Sequence, residues 1–71
     1  MNPINPRKLL HSKWTAVTPQ NKEKHFLVVE VEYDDDGSVA LCMLEAVINQ
    51  RQSAIHWRDL KNSEHWKLGW R

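Results

Sequence analysis

The stretch His25-Phe26-Leu27-Val28-Val29-Glu30-Val31-Glu32-Tyr33-Asp34-Asp35-Asp36-Gly37-Ser38-Val39-Ala40-Leu41-Cys42-Met43-Leu44 decides the fold. Its first nine residues hold three β-branched valines and two aromatics, types that fit a pleated, half-buried surface. From Leu27 onward one face reads Leu27, Val29, Val31, Tyr33 and the other Val28, Glu30, Glu32. That alternation predicts a strand dry on the first face and wet on the second, with Phe26 and Val28 covering the other side near its start. Asp34 to Ser38 is a turn, and Asp36-Gly37 suits a two-residue type I′ hairpin, which needs positive φ at both central residues. Such a loop pairs Tyr33 with Ala40, Val31 with Cys42 and Val29 with Leu44; a four-residue loop keeps the same faces together. Val39 to Ile48 then reads as the returning strand. Leu41, Leu44 and Ile48 also fit helical spacing across 39–50, but the turn before them favours a strand.

Upstream, Pro3 and Pro6 set residues 1–7 apart as a flexible arm, and the domain begins at residue 8 and runs to 71. Pro6 at a first helical position after Asn5 predicts one helical turn across 7–11. Ser12 to Thr18 has strand composition and stops at Pro19, with Gln20 to Lys24 as a polar connection. Downstream, Ser53 to Leu60 alternates as a less buried strand. Asn62 or Ser63 can cap a short helical turn near the C-terminus. The predicted fold is mostly β: an antiparallel meander of about four strands that can curl into a small SH3-like barrel.

A chain of 71 residues is one domain with little room for a core. Four tryptophans answer that shortage, since each ring buries ~150–250 Å². Trp14, Trp57, Trp66 and Trp70 are therefore the predicted core tryptophans. The single cysteine, Cys42, lies in an apolar run, where a thiol acts as a small hydrophobe and a reducing compartment is expected. The N-terminus has prolines and polar residues where a signal peptide has its apolar segment, and no apolar run is long enough to span a membrane. A cytoplasmic protein with no membrane association is the expectation.

At this point the residues carry a resemblance. Ser12-Lys13-Trp14-Thr15-Ala16, His25-Phe26, Trp57-Arg58-x-Leu60 and Trp66-x-x-Gly69-Trp70 resemble a family of small bacterial tryptophan-rich proteins of unknown function. The likeness runs from about residue 8 to 70. It implies a recognisable domain and supplies no activity, cofactor or catalytic residue.

The net charge of +1 names no partner, but its layout is uneven. Residues 1–25 hold five Lys or Arg against one acid, residues 26–50 six acids and no Lys or Arg, and residues 51–71 five Lys or Arg against two acids. Catalytic chemistry finds no footing. His11, His25, His56, His65 and Cys42 lack metal-ligand spacing, so no metal and no cofactor are expected. The serines lack a nucleophile elbow, and two glycines cannot build a phosphate loop. Asp34, Asp35 and Asp36 lie at a hairpin tip, without the pocket that tunes a general acid.

A non-enzymatic binding module remains. Exposed strand edges point first to protein association or a homodimer. The alternative is RNA or single-stranded DNA, because Lys13-Trp14, Trp57-Arg58, Trp66-Lys67 and Trp70-Arg71 set cations beside rings. Its candidate residues are Lys13, Trp57, Arg58, Trp66, Lys67, Trp70 and Arg71. Within a strand, neighbours point to opposite faces, so only the irregular tail can present ring and cation together.

Overall fold

The computed structural model describes residues 2–71. The central hairpin is there: β2 (Glu23–Tyr33) runs antiparallel to β3 (Val39–Ala46). Around it lie β1 (Lys13–Gln20), β4 (Gln52–Ile55) and β5 (Trp66–Leu68). Two 3-10 turns, Pro6–Lys8 and Trp57–Lys61, complete the elements. The five strands form one sheet in the order β4-β3-β2-β1-β5. The strand count is five because Trp66–Leu68, expected after a helical turn, instead pairs with Trp14, Thr15 and Ala16 of β1. The sheet does not close into a barrel, since β4 and β5 are its two ends.

The hairpin turn differs from its expected type. Asp34 N–H donates to the Ser38 carbonyl at 2.8 Å, and Gly37 N–H to the Asp34 carbonyl at 2.9 Å. Only Gly37 in this loop has positive φ, so Asp35-Asp36-Gly37 is a three-residue loop with glycine in the left-handed position. Tyr33 consequently faces Val39 rather than Ala40. Two irregularities absorb the shift. One, at Ala40, restores the Val31–Cys42 pair, and another, at Val29, sets Val28 rather than Val29 against Leu44. The face reading of β2 is corrected accordingly. Val28 is fully buried, Leu27 turns to the opposite face, and Tyr33 is exposed. The type I′ geometry sits instead at Asn21-Lys22, both at positive φ, where Gln20 pairs with Glu23.

The fourth predicted strand is also shorter. It ends at Ile55, and His56 caps a 3-10 turn by accepting from Arg58 N–H at 3.3 Å. That turn drops Leu60 into the core, where it is fully buried. Val39–Gln50 is strand as far as Ala46, and a turn follows.

One face of the sheet carries the core. Trp14, Val28, Cys42 and Leu44 pack with Leu9 and Leu60, which arrive from outside the sheet. Ile4, Phe26, Ile55, Trp57 and Trp66 close its margins. Residues from the 2–7 segment hydrogen-bond to this layer. Asn2 Nδ2 donates to the Leu60 carbonyl at 2.9 Å and the Trp66 carbonyl at 2.7 Å, and Tyr33 hydroxyl to the Pro6 carbonyl at 2.6 Å. Asn5 caps Pro6–Lys8 as its sequence implies. At the opposite margin, Glu23 is buried and receives Arg51 Nε at 2.8 Å and Asn49 Nδ2 at 3.0 Å, locking the β1–β2 turn to the β3–β4 turn.

Candidate interaction surface

The four indoles have separate fates. Trp14 is 1% exposed; its Nε1 donates to Ser12 Oγ at 2.9 Å, and Ser12 Oγ donates to the Leu9 carbonyl at 2.6 Å. That chain satisfies a buried N–H that would otherwise be costly. Trp66 is half-buried, edge-to-face with Phe26 at 5.2 Å, and its Nε1 donates to Asp59 at 3.1 Å. Trp57 is half-buried against the core, with Lys61 Nζ 4.8 Å and the Arg58 guanidinium 5.8 Å from its ring centre. Trp70, expected in the core, is 43% exposed. The reason is the tail: Gly69, at φ +84°, turns the chain back across the outer side of β1 instead of under the sheet.

That turn assembles a cluster. Gly69 N–H donates to the Lys13 carbonyl at 2.7 Å, and Thr15 Oγ1 donates to the Gly69 carbonyl at 2.6 Å. Arg71 N–H donates to Thr15 Oγ1 at 3.0 Å, and Trp70 Nε1 to the Phe26 carbonyl at 2.9 Å. Lys13 Nζ then stands 4.8 Å from the Trp70 ring centre, a cation–π distance, and the His25 ring 6.1 Å away. Thr15 pairs with both His25 and Lys67, so Lys67 joins the same side of the sheet. Of the seven sequence candidates, Lys13, Lys67, Trp70 and Arg71 are brought together. Trp57 and Arg58 form a separate group with Lys61, and Trp66 belongs to the core margin. His25 was not among the candidates, because only the strand register places it there.

A second feature lies beside this cluster. The register rows Lys13–Leu27–Glu45–Gln52, Glu30–Met43–Ala54 and Glu32–Leu41 share the outer face. Leu27, Leu41 and Met43 are half-buried, yet none packs against the core. No helix covers this side, for the helical turns are two short 3-10 segments. Among the described residues only two ion pairs form, Arg51–Glu23 and His65–Asp59. Among the described residues, Lys13 on β1, Lys67 on β5, and Glu30 and Glu32 on the central β2 therefore have no ion-pair partner. The signal in the sequence was Leu41 and Met43 alternating with buried Cys42 and Leu44.

The core side offers less chemistry. A cleft of ≈ 230 Å³ opens between the two sheet ends, lined by Phe26, Ile55 and Trp66 with Glu23 and Arg51. The Arg51 and Asn49 hydrogen bonds hold the Glu23 carboxyl down at about 2, so it stays ionised and engaged. Burial pushes the Cys42 thiol up, away from nucleophilic use. Among the described residues no three His, Cys, Asp or Glu gather as a metal-ligating group, and no helix is long and apolar enough to cross a membrane.

The quoted motif residues touch one another: Trp14 pairs with Phe26, Thr15 bonds Gly69, Lys13 meets Trp70, and Trp70 bonds Phe26. No curated protein and no solved structure matches the chain. A family model described as tryptophan-rich protein (DUF2389) matches residues 12–71, covering every one of these segments. The chain belongs to that tryptophan-rich family.

Proposed function

We propose that this chain is a non-enzymatic protein-binding module acting in the bacterial cytoplasm, and that it binds through the outer face of its sheet. One observation carries this reading: Leu27, Leu41 and Met43 line an uncovered sheet face while contributing nothing to the core. A sheet needs apolar residues on one face only, and three on the other are unexplained by folding. The edges are weaker candidates, since β4 has four residues, β5 has three, and short edges resist pairing. The buried lone thiol of Cys42 fits a reducing compartment.

A photo-crosslinking residue at Met43, with a control at the Asn21 hairpin tip, tests the reading in cells. Protein adducts at Met43 well above those at position 21 are expected. Equal yields, or adducts to RNA alone, defeat it.

A second reading rests on its own observation, the exposed Trp70 ring among Lys13, Lys67 and Arg71. This combination fits a base stacked on the indole with phosphates on the cations. Oligonucleotides then quench tryptophan fluorescence at low salt, and the affinity falls steeply as salt rises. Absence of quenching at low salt removes this alternative.

A further inference from the structure

We infer that the free edge of β4 takes up an extended segment of another protein as a sixth strand, with alternate side chains of that segment seated in the cleft beside Ser53 and Ile55. The inference shares its class of partner with the protein-binding reading but uses a different surface, so the two can fail separately.

The two ends of the sheet are treated differently. On β5, Gly69 N–H bonds the Lys13 carbonyl and Val17 N–H the His65 carbonyl, so the backbone groups of Trp66 and Leu68 point outward. Three of those groups are engaged: Trp66 N–H donates to the Asn62 carbonyl at 3.0 Å, the Trp66 carbonyl accepts from Asn2 Nδ2 at 2.7 Å, and the Leu68 carbonyl accepts from Arg71 Nε at 3.1 Å. On β4, the bond from Ala46 N–H to the Arg51 carbonyl sets the same alternation. It turns the N–H and C=O of Gln52 and Ala54 away from β3. Among the described residues no hydrogen bond reaches these backbone groups. Nor does β4 carry the usual edge protection, for Gln52-Ser53-Ala54-Ile55 has no charge, no proline and no bulge.

The cleft adds the second element. Ser53 and Ile55 pair with the buried Leu44 and Cys42, so their side chains share the inner side of the sheet. There they line the cleft of ≈ 230 Å³ with Phe26, Leu44 and Trp66. That space exceeds the ~150 Å³ that holds a benzene ring, so an aromatic or branched side chain fits. A strand added to β4 sends every second side chain toward this cleft. Four residues of ladder are a weak site by themselves, and apolar burial in the cleft supplies what the ladder lacks. The mouth of the cleft is basic. Arg51 is 58% exposed and Lys22 is exposed on the adjoining turn, while Glu23, the carboxylate among the lining residues, is already bound by Arg51. The occupant is therefore an extended peptide with apolar residues at alternate positions and an acidic residue at the end near Arg51. Outward N–H and C=O groups repeating every second residue match a polypeptide backbone.

The test selects a phage-displayed library of random dodecapeptides on the immobilised full chain, then follows an enriched peptide by proton–nitrogen NMR. Enriched sequences alternate apolar residues and carry Asp or Glu toward one end. On binding, amide exchange at Gln52 and Ala54 slows at least ~tenfold, as new hydrogen bonds form there. Ala54→Pro removes an outward N–H, spares the β3 ladder and weakens binding at least ~tenfold. N-methylating the peptide at its bonding positions costs as much, with no change to the protein. Leu27→Ser, on the outer face, binds as wild type does. Near-ultraviolet circular dichroism confirms that both variants are folded.

No enriched sequence, unchanged exchange at Gln52 and Ala54, or equal binding by Ala54→Pro overturns the inference. Binding lost in Leu27→Ser but kept in Ala54→Pro moves the peptide to the outer face, which overturns the inference and leaves the protein-binding reading intact. Slowed exchange at Gln52 and Ala54 without Met43 adducts in cells upholds the edge site and sinks only the outer face. A wild type that dimerises in sedimentation velocity, with the dimer lost in Ala54→Pro, makes a second copy the occupant and overturns the partner named here.

Discussion

The inner and outer faces of this sheet both carry large apolar side chains, which meet opposite fates. Inside, Trp14, Val28, Cys42 and Leu44 lie under a lid made from Leu9, Leu60, Ile4, Trp57 and Trp66. Outside, Leu27, Leu41 and Met43 occupy neighbouring positions on the same strands, half-buried and apart from the core cluster. Burial here is decided by where the chain ends and the 3-10 turns travel, not by hydropathy along a strand. The lid is held by few groups. Asn2 clamps Leu60 and Trp66 through their carbonyls, and Leu60 is the one fully buried side chain of its turn. The outer face receives the Gly69–Arg71 tail, fastened by Thr15 at one corner.

The comparison predicts unequal consequences for similar truncations. The largest belongs to Trp14→Ala, which empties a fully buried ring site and strands Ser12 Oγ as an acceptor. A loss of ~3–5 kcal/mol is expected, enough to unfold a marginal domain, and a urea melt reads it. A loss below ~1 kcal/mol would mean the inner face is not the stabilising one.

Leu60→Ala comes next, at ~2–5 kcal/mol, because it removes the lid's central side chain. Hydrogen exchange should then speed up first in Trp57–Lys61 and β5. Uniform acceleration across the sheet would break the idea of a separable lid.

The Glu23 clamp has a pH signature. Its carboxyl falls from the usual 4.5 to about 2 on folding, so it stabilises the fold at neutral pH. A depressed folded value means this contribution is complete above about 4.5 and is lost as pH falls toward about 2. Glu23→Gln should lower the urea midpoint at pH 7 and flatten the acid side of the stability profile. An unchanged profile would show that the two turns hold together without the carboxylate.

The smallest effects belong to the outer face. Trp70→Ala should cost under ~1 kcal/mol, and Met43→Ser within ~0.5 kcal/mol, in urea melts run at low protein concentration. A large loss at either position would erase the contrast between the faces.

Much of this was legible in the sequence. The β class, the central hairpin, the strand assignment of Val39–Ala46 and the Asn5–Pro6 cap follow from local chemistry. The cluster at the tail does not, because Lys13 meets the Trp70 ring only through the Gly69 turn across β1. What was not legible turns on register. Asp36-Gly37 is the stronger turn signal, yet type I′ geometry sits at Asn21-Lys22, where asparagine tolerates a left-handed backbone and the strands enforce it on lysine. Bulges at Val29 and Ala40 then exchanged the roles of Leu27 and Val28. Ile55-His56-Trp57 continues an alternating pattern on paper, but burying Leu60 favours a 3-10 turn there.

The sequence alone determined that this protein is an antiparallel sheet stabilised by large rings, because alternation, β-branching and turn residues act over a few neighbouring positions. Only the tertiary structure decided which rings are inside, which face stays bare, and that the sheet stops short of a barrel. Those outcomes depend on two single-residue bulges and on docking of both chain ends. Such contacts join residues up to 64 positions apart, as Asn2 and Trp66 are, and no local pattern encodes them.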